Sequence, residues 1–234
     1  MRIVKEYWNS LVHLFYPDLC IACHKRNFDI LESFCFECYT ELPFVDFNDL
    51  SENEFTDHFK GKINLRFGTS LFYFIKSGVI QDIIRELKYH NKDTYGVKLG
   101  QLFADTYKDT EFLRSVDIIV PVPLHPRKEN KRGYNQSQRF AEGIGNKLDI
   151  PVCADNLVRI KNTMTQTKMN NEERIKNVHK AFDLLHPEQF AGKHILLVDD
   201  VLTTGSTLME CATTMIELEQ TTVSMATIAI GETI

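Results

Sequence analysis

The chain has 234 residues, 43% apolar and 25% charged. This mix excludes disordered, collagen-like and low-complexity classes, and a chain of this length can bury a core without covalent staples. The 27 basic and 32 acidic residues give a net charge of −5, which excludes a uniformly basic nucleic-acid coat.

The first element is an amphipathic helix. Ile3, Val4, Tyr7, Trp8, Leu11, Val12, Leu14 and Phe15 recur at helical spacing. Lys5, Glu6, Asn9 and His13 interrupt this apolar start, so a secretory signal is not expected. No run reaches the roughly 20 apolar residues of a membrane helix, so stable membrane insertion is not expected either. The protein is read as cytoplasmic. Two C-x-x-C knuckles follow, Cys20/Cys23 and Cys35/Cys38, eleven residues apart. Each turn can aim two thiolates at one centre, and two turns complete a four-sulfur shell suited to Zn²⁺. With four protein ligands the metal would be structural. Two disulfides or a redox pair are the alternative, and His24 is a substitute ligand for one cysteine. Cys153 and Cys211 read as small buried hydrophobes. The acidic stretch Asp46 to Asp57 reads as a linker. The expected organisation is therefore residues 1–60, a helix, zinc-ribbon-like module and linker, then residues 61–234.

The second part has an α/β pattern. Leu65 to Ile75 reads as one or two strands. Ser77 is placed to cap a helix carrying Val79, Ile80, Ile83, Ile84 and Leu87. Helices are expected over Gly96–Tyr107, residues 134–148 and Leu208–Leu218. Strands are expected at Asp117–Val120, Ile195–Val198 and Val223–Ile230. Such alternation implies crossover units and a parallel sheet flanked by helices, with ligands beyond the carboxyl ends of the strands. Charge is divided along the chain: residues 1–60 carry −6, 61–120 carry +2, 121–182 carry +6 and 183–234 carry −7. The basic stretch reads either as a solvated face or as a groove for phosphates.

The run Val198-Asp-Asp-Val-Leu-Thr-Thr-Gly-Ser-Thr207 is the most informative. A buried strand ends in two carboxylates, Asp199 and Asp200, followed by a hydroxyl-rich turn into a helix. Gly205 lets the backbone approach a ligand. Successive N–H groups and a helix N-terminus make an anion nest, to which Thr203, Thr204, Ser206 and Thr207 add donors. The carboxylates suit hydroxyls or a cation. A sugar phosphate with a free diol fits both halves. The alternative is a plain strand–turn–helix in which the hydroxyls only cap.

This run resembles the phosphoribosyl-pyrophosphate (PRPP) motif of type I phosphoribosyltransferases. The wider pattern resembles the ComF family of competence proteins, which includes GntX-like proteins. That resemblance takes in the four cysteines, Leu87-Lys88-Tyr89, Val120 to Pro123 and Arg132 to Ser137. It continues through Arg159, Thr163, Gln166, Glu173-Arg174, Asn177-Val178, Ala181-Phe182 and Val198 to Thr207. It implies an α/β, type I phosphoribosyltransferase-like fold. It implies that Asp199 and Asp200 hold the ribose hydroxyls while Thr203, Thr204, Gly205, Ser206 and Thr207 hold the 5′-phosphate. Pyrophosphate with Mg²⁺ would lie in the Pro121–Asn135 loop, near Arg127, Lys128, Lys131 and Arg132. A mobile flap is implied around Arg159 to Asn177, with Lys161, Gln166, Lys168 and Arg174 able to reach in. The implied activity is phosphoribosyl transfer to an acceptor the sequence does not specify, linked to DNA uptake and natural competence, with other DNA-uptake proteins as partners. Two competing readings remain. One is a non-catalytic protein that handles single-stranded DNA through the 121–182 stretch, with Tyr134 as a candidate to stack a base, and uses the PRPP pocket for sensing or nucleotide binding. The other is a structural zinc adaptor.

Overall fold

The structure, a computed structural model, describes residues 19–25, 33–89, 92–160 and 181–231. The N-terminal helix expected over residues 3–15 lies outside them. The first described helices are short, α1 (Phe36–Thr40) and α2 (Glu54–Asp57). Strand β1 (Gly68–Phe74) leads into α3 (Val79–Tyr89), α4 (Asp93–Tyr107) and α5 (Glu111–Arg114). Next come β2 (Ile118–Pro121), α6 (Pro126–Arg132) and α7 (Gln136–Leu148). The chain closes with β3 (Leu157–Arg159), β4 (Phe182–Leu184), β5 (His194–Leu202), α8 (Ser206–Ile216) and β6 (Thr222–Gly231).

Four strands form one sheet in the order β1-β6-β5-β2, and each neighbouring pair is parallel. The central runs Ile195–Val198 and Val223–Ile230 are buried on both faces, as parallel strands covered by helices are. Side-chain alternation divides the core into two. Leu196, Val198, Ala226 and Ile228 meet α3, α4 and α7 on one face. Ile195, Leu197, Val223 and Met225 meet α8 on the other, together with Phe55 and Phe59. Helices α4 and α7 touch backbone to backbone. A Cβ on Gly100 would sit 2.2 Å from the Phe140 carbonyl oxygen, and one on Gly143 would sit 2.1 Å from that of Val97.

The structure corrects several expectations. The acidic 46–57 stretch is not a free linker. Asn53 and Thr56 form a capping box for α2, and Val45, Phe55 and Phe59 are buried against the sheet. The Pro121–Asn135 segment contains a helix, α6. Ser77 occupies the left-handed region (φ 63°), and the Gln81 side chain accepts from its backbone N–H at 2.8 Å. Strand β5 runs four residues beyond Val198, so Asp199 and Asp200 lie within it. A two-stranded antiparallel hairpin, β3–β4, brackets residues 161–180. The cysteine segment shares the main core: Cys20, Ile21 and Phe34 cluster with Leu71 and Phe72, and the Phe34 and Phe72 rings meet edge to face at 6.4 Å.

Candidate functional site

The site is centred on β5. Pairing with β6 runs to Asp199↔Thr227 and resumes at Val201↔Ala229. Val198 and Val201 pack toward the same cluster, where strict alternation would set them on opposite faces. The pairing register with β6 is nonetheless the same on both sides of the acid pair, so no residue is inserted there. Both acids are half-buried. Asp199 Oδ1 accepts from Ser137 Oγ at 2.8 Å and from the Asp200 backbone N–H at 2.8 Å. Lys88 Nζ, from the last turn of α3, lies 2.7 Å from Asp200 Oδ2. Burial, then the neighbouring Asp200 charge, pushes the Asp199 carboxyl up to about 7, against the opposing pull of Ser137.

Beyond β5 the chain makes the predicted turn. Gly205 has φ 73°, and a Cβ there would also stand 3.0 Å from the Phe59 ring. Glycine is thus required twice, by conformation and by packing. Helix α8 starts at once, with Met209 N–H donating to the Gly205 carbonyl at 2.8 Å. Thr203, Thr204, Ser206 and Thr207 are exposed around its N-terminus. Thr204 Oγ1 and Ser206 Oγ lie 3.1 Å apart. Hydroxyls and a positive helix end thus lie together at one solvent-exposed turn, suited to an anion.

On the β2 side, Asn135 ties the chain to the sheet. Its Nδ2 donates to the Val122 carbonyl at 2.9 Å, and its Oδ1 accepts from Ser137 N–H at 3.1 Å, capping α7. Arg132 Nη1 donates to Gln136 Oε1 at 2.7 Å, next to the serine that holds Asp199. Arg127 is exposed at the other end of α6. Lys161 lies outside the described residues, as do Gln166, Lys168 and Arg174. Tyr134 is half-buried, and its hydroxyl donates to the Leu87 carbonyl. Sequence reasoning assigned no role to Lys88 or Ser137, although both fall in the quoted motifs. Their signal is a partner more than 60 positions away, invisible without the fold.

The four knuckle cysteines form a second site. Their Sγ atoms all lie within 4.8 Å of one another, and those of Cys23 and Cys35 are 3.8 Å apart. Tetrahedral Zn–S bonds of about 2.3 Å set sulfurs about 3.8 Å apart, so the residues fit a four-thiolate metal. All four thiols are free of disulfides. Burial raises the Cys20 thiol, but backbone N–H groups of Cys23, Cys35 and Ala22 outweigh it and bring it down to about 7. Burial and the neighbouring thiols push Cys38 well up. His24 is not a ligand here; its Nε2 lies 2.9 Å from Glu86 Oε1 on α3. Among the described residues, no helix is long and apolar enough to cross a membrane.

Known proteins match this arrangement. Residues 135–231 match the phosphoribosyl transferase domain family. Competence protein F of Haemophilus influenzae is 35% identical over 132 residues, 55% of this chain and 58% of that protein. DNA utilization protein YhgH of Salmonella typhimurium is 32% identical over 133 residues, 56% of this chain and 58% of that protein. Competence protein ComFC of Bacillus subtilis is 30% identical over 115 residues, 49% of this chain and 42% of that protein. The chain thus spans less than two thirds of the length of these curated relatives. Together, these matches give residues 135–231 as similar to a phosphoribosyl transferase domain and the chain as similar to competence and DNA utilization proteins of the ComF kind.

Proposed function

We propose that the chain binds PRPP with Mg²⁺ and transfers its phosphoribosyl group, in a process that serves DNA uptake or utilisation. One observation carries this reading. A half-buried acid pair, braced by Ser137 and Lys88, stands two residues before the open Thr203–Thr207 turn at the head of α8. The acids would accept hydrogen bonds from the ribose diol, and the turn would donate to the 5′-phosphate. Arg132, which holds Gln136 next to Ser137 in the chain, and Arg127, at the other end of α6, would face the pyrophosphate. Among the described residues the four cysteines are the one cluster of three or more metal-ligating side chains. That fits Mg²⁺ held chiefly by phosphates and water, as this cation prefers. Bound Mg²⁺ would neutralise pyrophosphate charge. Asp199 and Asp200 would orient the ribose and favour positive charge on its ring. The cysteine cluster is assigned structural Zn²⁺. Free thiols at four close positions agree with a reducing, cytoplasmic setting. The relatives' names support the link to competence and DNA.

A second reading has its own support. Arg127, Lys128 and Lys131 are exposed along α6, a basic strip fit for the backbone of single-stranded DNA. Calorimetry with PRPP and Mg²⁺ tests the first reading. Saturable heat is expected, reduced at least a hundredfold in affinity by Asp199→Asn with Asp200→Asn. Absence of heat in the unaltered protein removes the PRPP assignment.

A further inference from the structure

The two acids are braced by different chemistry. Lys88 Nζ lies 2.7 Å from Asp200 Oδ2, and both side chains are partly buried. Asp199 Oδ1 accepts from Ser137 Oγ and from the Asp200 N–H. These three contacts leave Asp199 Oδ2 and Asp200 Oδ1 unused. The helix end that carries the lysine is fixed. Leu87 is fully buried, and its carbonyl accepts from the Tyr134 hydroxyl. Glu86 is paired with His24. Lys88 also lines, with Phe74, Ile84 and Val201, a cavity of about 410 Å³ whose wall is mainly carbon. Its methylene stem suits that wall, while the ammonium leaves it for the acids. Arg85, three residues earlier, shows the contrast: it pairs with Asp82 of its own helix, and both side chains are exposed.

Two adjacent, half-buried carboxylates need positive charge nearby. A side chain can supply it, and so can a divalent ion. A small divalent ion dehydrates reluctantly and would have to shed part of its water to reach the carboxylates. It would also meet an ammonium already seated on one of the oxygens, and like charges so close repel strongly away from bulk water. The tethered ammonium meets neither penalty. We propose that Lys88 is a positioning residue that stands in for a divalent cation at the acid pair. Its ammonium balances Asp200, keeps metal ions off both carboxylates and leaves Asp199 Oδ2 and Asp200 Oδ1 for hydroxyl groups. The proposal rests on the PRPP reading only for the identity of those hydroxyls. A divalent ion that arrives with the ligand then stays with the ligand's phosphates, and the acids hold no metal of their own.

The probe is Mn²⁺, which favours carboxylate oxygen over thiolate, titrated into the zinc-loaded full chain and followed by electron paramagnetic resonance of the free ion. Lys88→Met keeps the stem and removes the charge. It is expected to bind Mn²⁺ at least tenfold more tightly than the unaltered protein. Adding Asp200→Asn to that variant should abolish the gain, and Lys88→Arg should show none. A lysine that merely holds α3 in place would lower the melting temperature when replaced and leave Mn²⁺ binding unmoved, and that result overturns the proposal. A gain that survives Asp200→Asn overturns it too, because the ion then sits elsewhere. Should Lys88→Met fail to fold, the unaltered protein decides. Mn²⁺ should spare its Val198 and Val201 methyl signals, and selective broadening of those signals overturns the proposal. With PRPP added, one bound Mn²⁺ per chain is expected in the unaltered protein, and two overturn the proposal. PRPP that binds neither protein, while Lys88→Met keeps its Mn²⁺ gain, overturns the phosphoribosyl reading instead and leaves Lys88 its role.

Discussion

The acid pair makes an unusual demand that can be measured as stability. Replace Asp199 with Asn. The native carboxyl is raised from 3.8 to about 7, first by burial and then by Asp200. A group raised in this way binds its proton more tightly in the folded chain than in the unfolded one. Its penalty is absent below pH 4, develops between pH 4 and 7, and is complete above pH 7. A displacement of about three pH units corresponds to about 4 kcal/mol. The opposing pull of Lys88 is already contained in that shift, and we expect at least about 2 kcal/mol. Asn is nearly the same size, and its oxygen can keep the bond from the Asp200 N–H. Asp199→Asn should therefore stabilise the metal-loaded protein at pH 8 by at least about 2 kcal/mol, and should flatten the fall in stability between pH 4 and 7. Urea unfolding followed by circular dichroism at several pH values reads both effects. The same substitution should abolish PRPP binding, a trade of stability for function. A variant less stable than the parent at pH 8, or a parent that gains stability from pH 5 to 8 relative to the variant, refutes the reasoning.

Further predictions test the neighbouring parts. Gly205→Val places a branched side chain at φ 73° and against the Phe59 ring. It should destabilise by about 1–3 kcal/mol and weaken PRPP at least tenfold; unaltered calorimetry would clear the turn of a role. Single-stranded DNA binding, measured by fluorescence anisotropy, should weaken with salt. Arg127→Ala with Lys128→Ala should flatten that salt slope by about 1.4, at about 0.7 per phosphate contact, and an unchanged slope would exclude α6. Metal analysis should find one zinc per chain, lost in Cys20→Ser with Cys38→Ser. That variant should melt at lower temperature because Cys20 and Ile21 belong to the main core, and an unchanged melting curve would contradict a structural metal.

What the sequence discloses depends on the range of each interaction. Strands β5 and β6 are legible because central parallel strands are continuous apolar runs. The acid pair and Gly205 are legible because strand, turn and helix head are contiguous. Helix α6 is not, since Pro-Arg-Lys-Glu-Asn-Lys-Arg has no apolar stripe to reveal its period. The stretch before it misleads in the opposite sense. Its many acids suggest a tether, yet Phe55 buries itself against Gly68, and Phe59, just beyond, against the Gly205 turn. Lys88 is hardest to assign. A lysine in the last turn of an amphipathic helix is ordinarily a solvated dipole partner, and only the fold brings it to Asp200.

Helix α3 connects the two sites, and magnitudes show what holds it. His24, adjacent to the knuckle cysteine Cys23, reaches Glu86 at 2.9 Å, and Tyr134 holds the Leu87 carbonyl. Lys88, one residue on, reaches Asp200. The partly exposed His24–Glu86 pair contributes at most about 1 kcal/mol. Phe34 and Phe72 are fully buried, and each such side chain contributes about 1.5–3 kcal/mol. Packing therefore anchors the cysteine module to the sheet, while the polar contacts set the rotation of α3. Residues 86 and 88 point to different sides of the helix. A rotation that broke the Glu86 contact would also withdraw the lysine from the acid pair. The knuckles thus do more than close a loop: they fix the orientation of the helix whose cation faces the site.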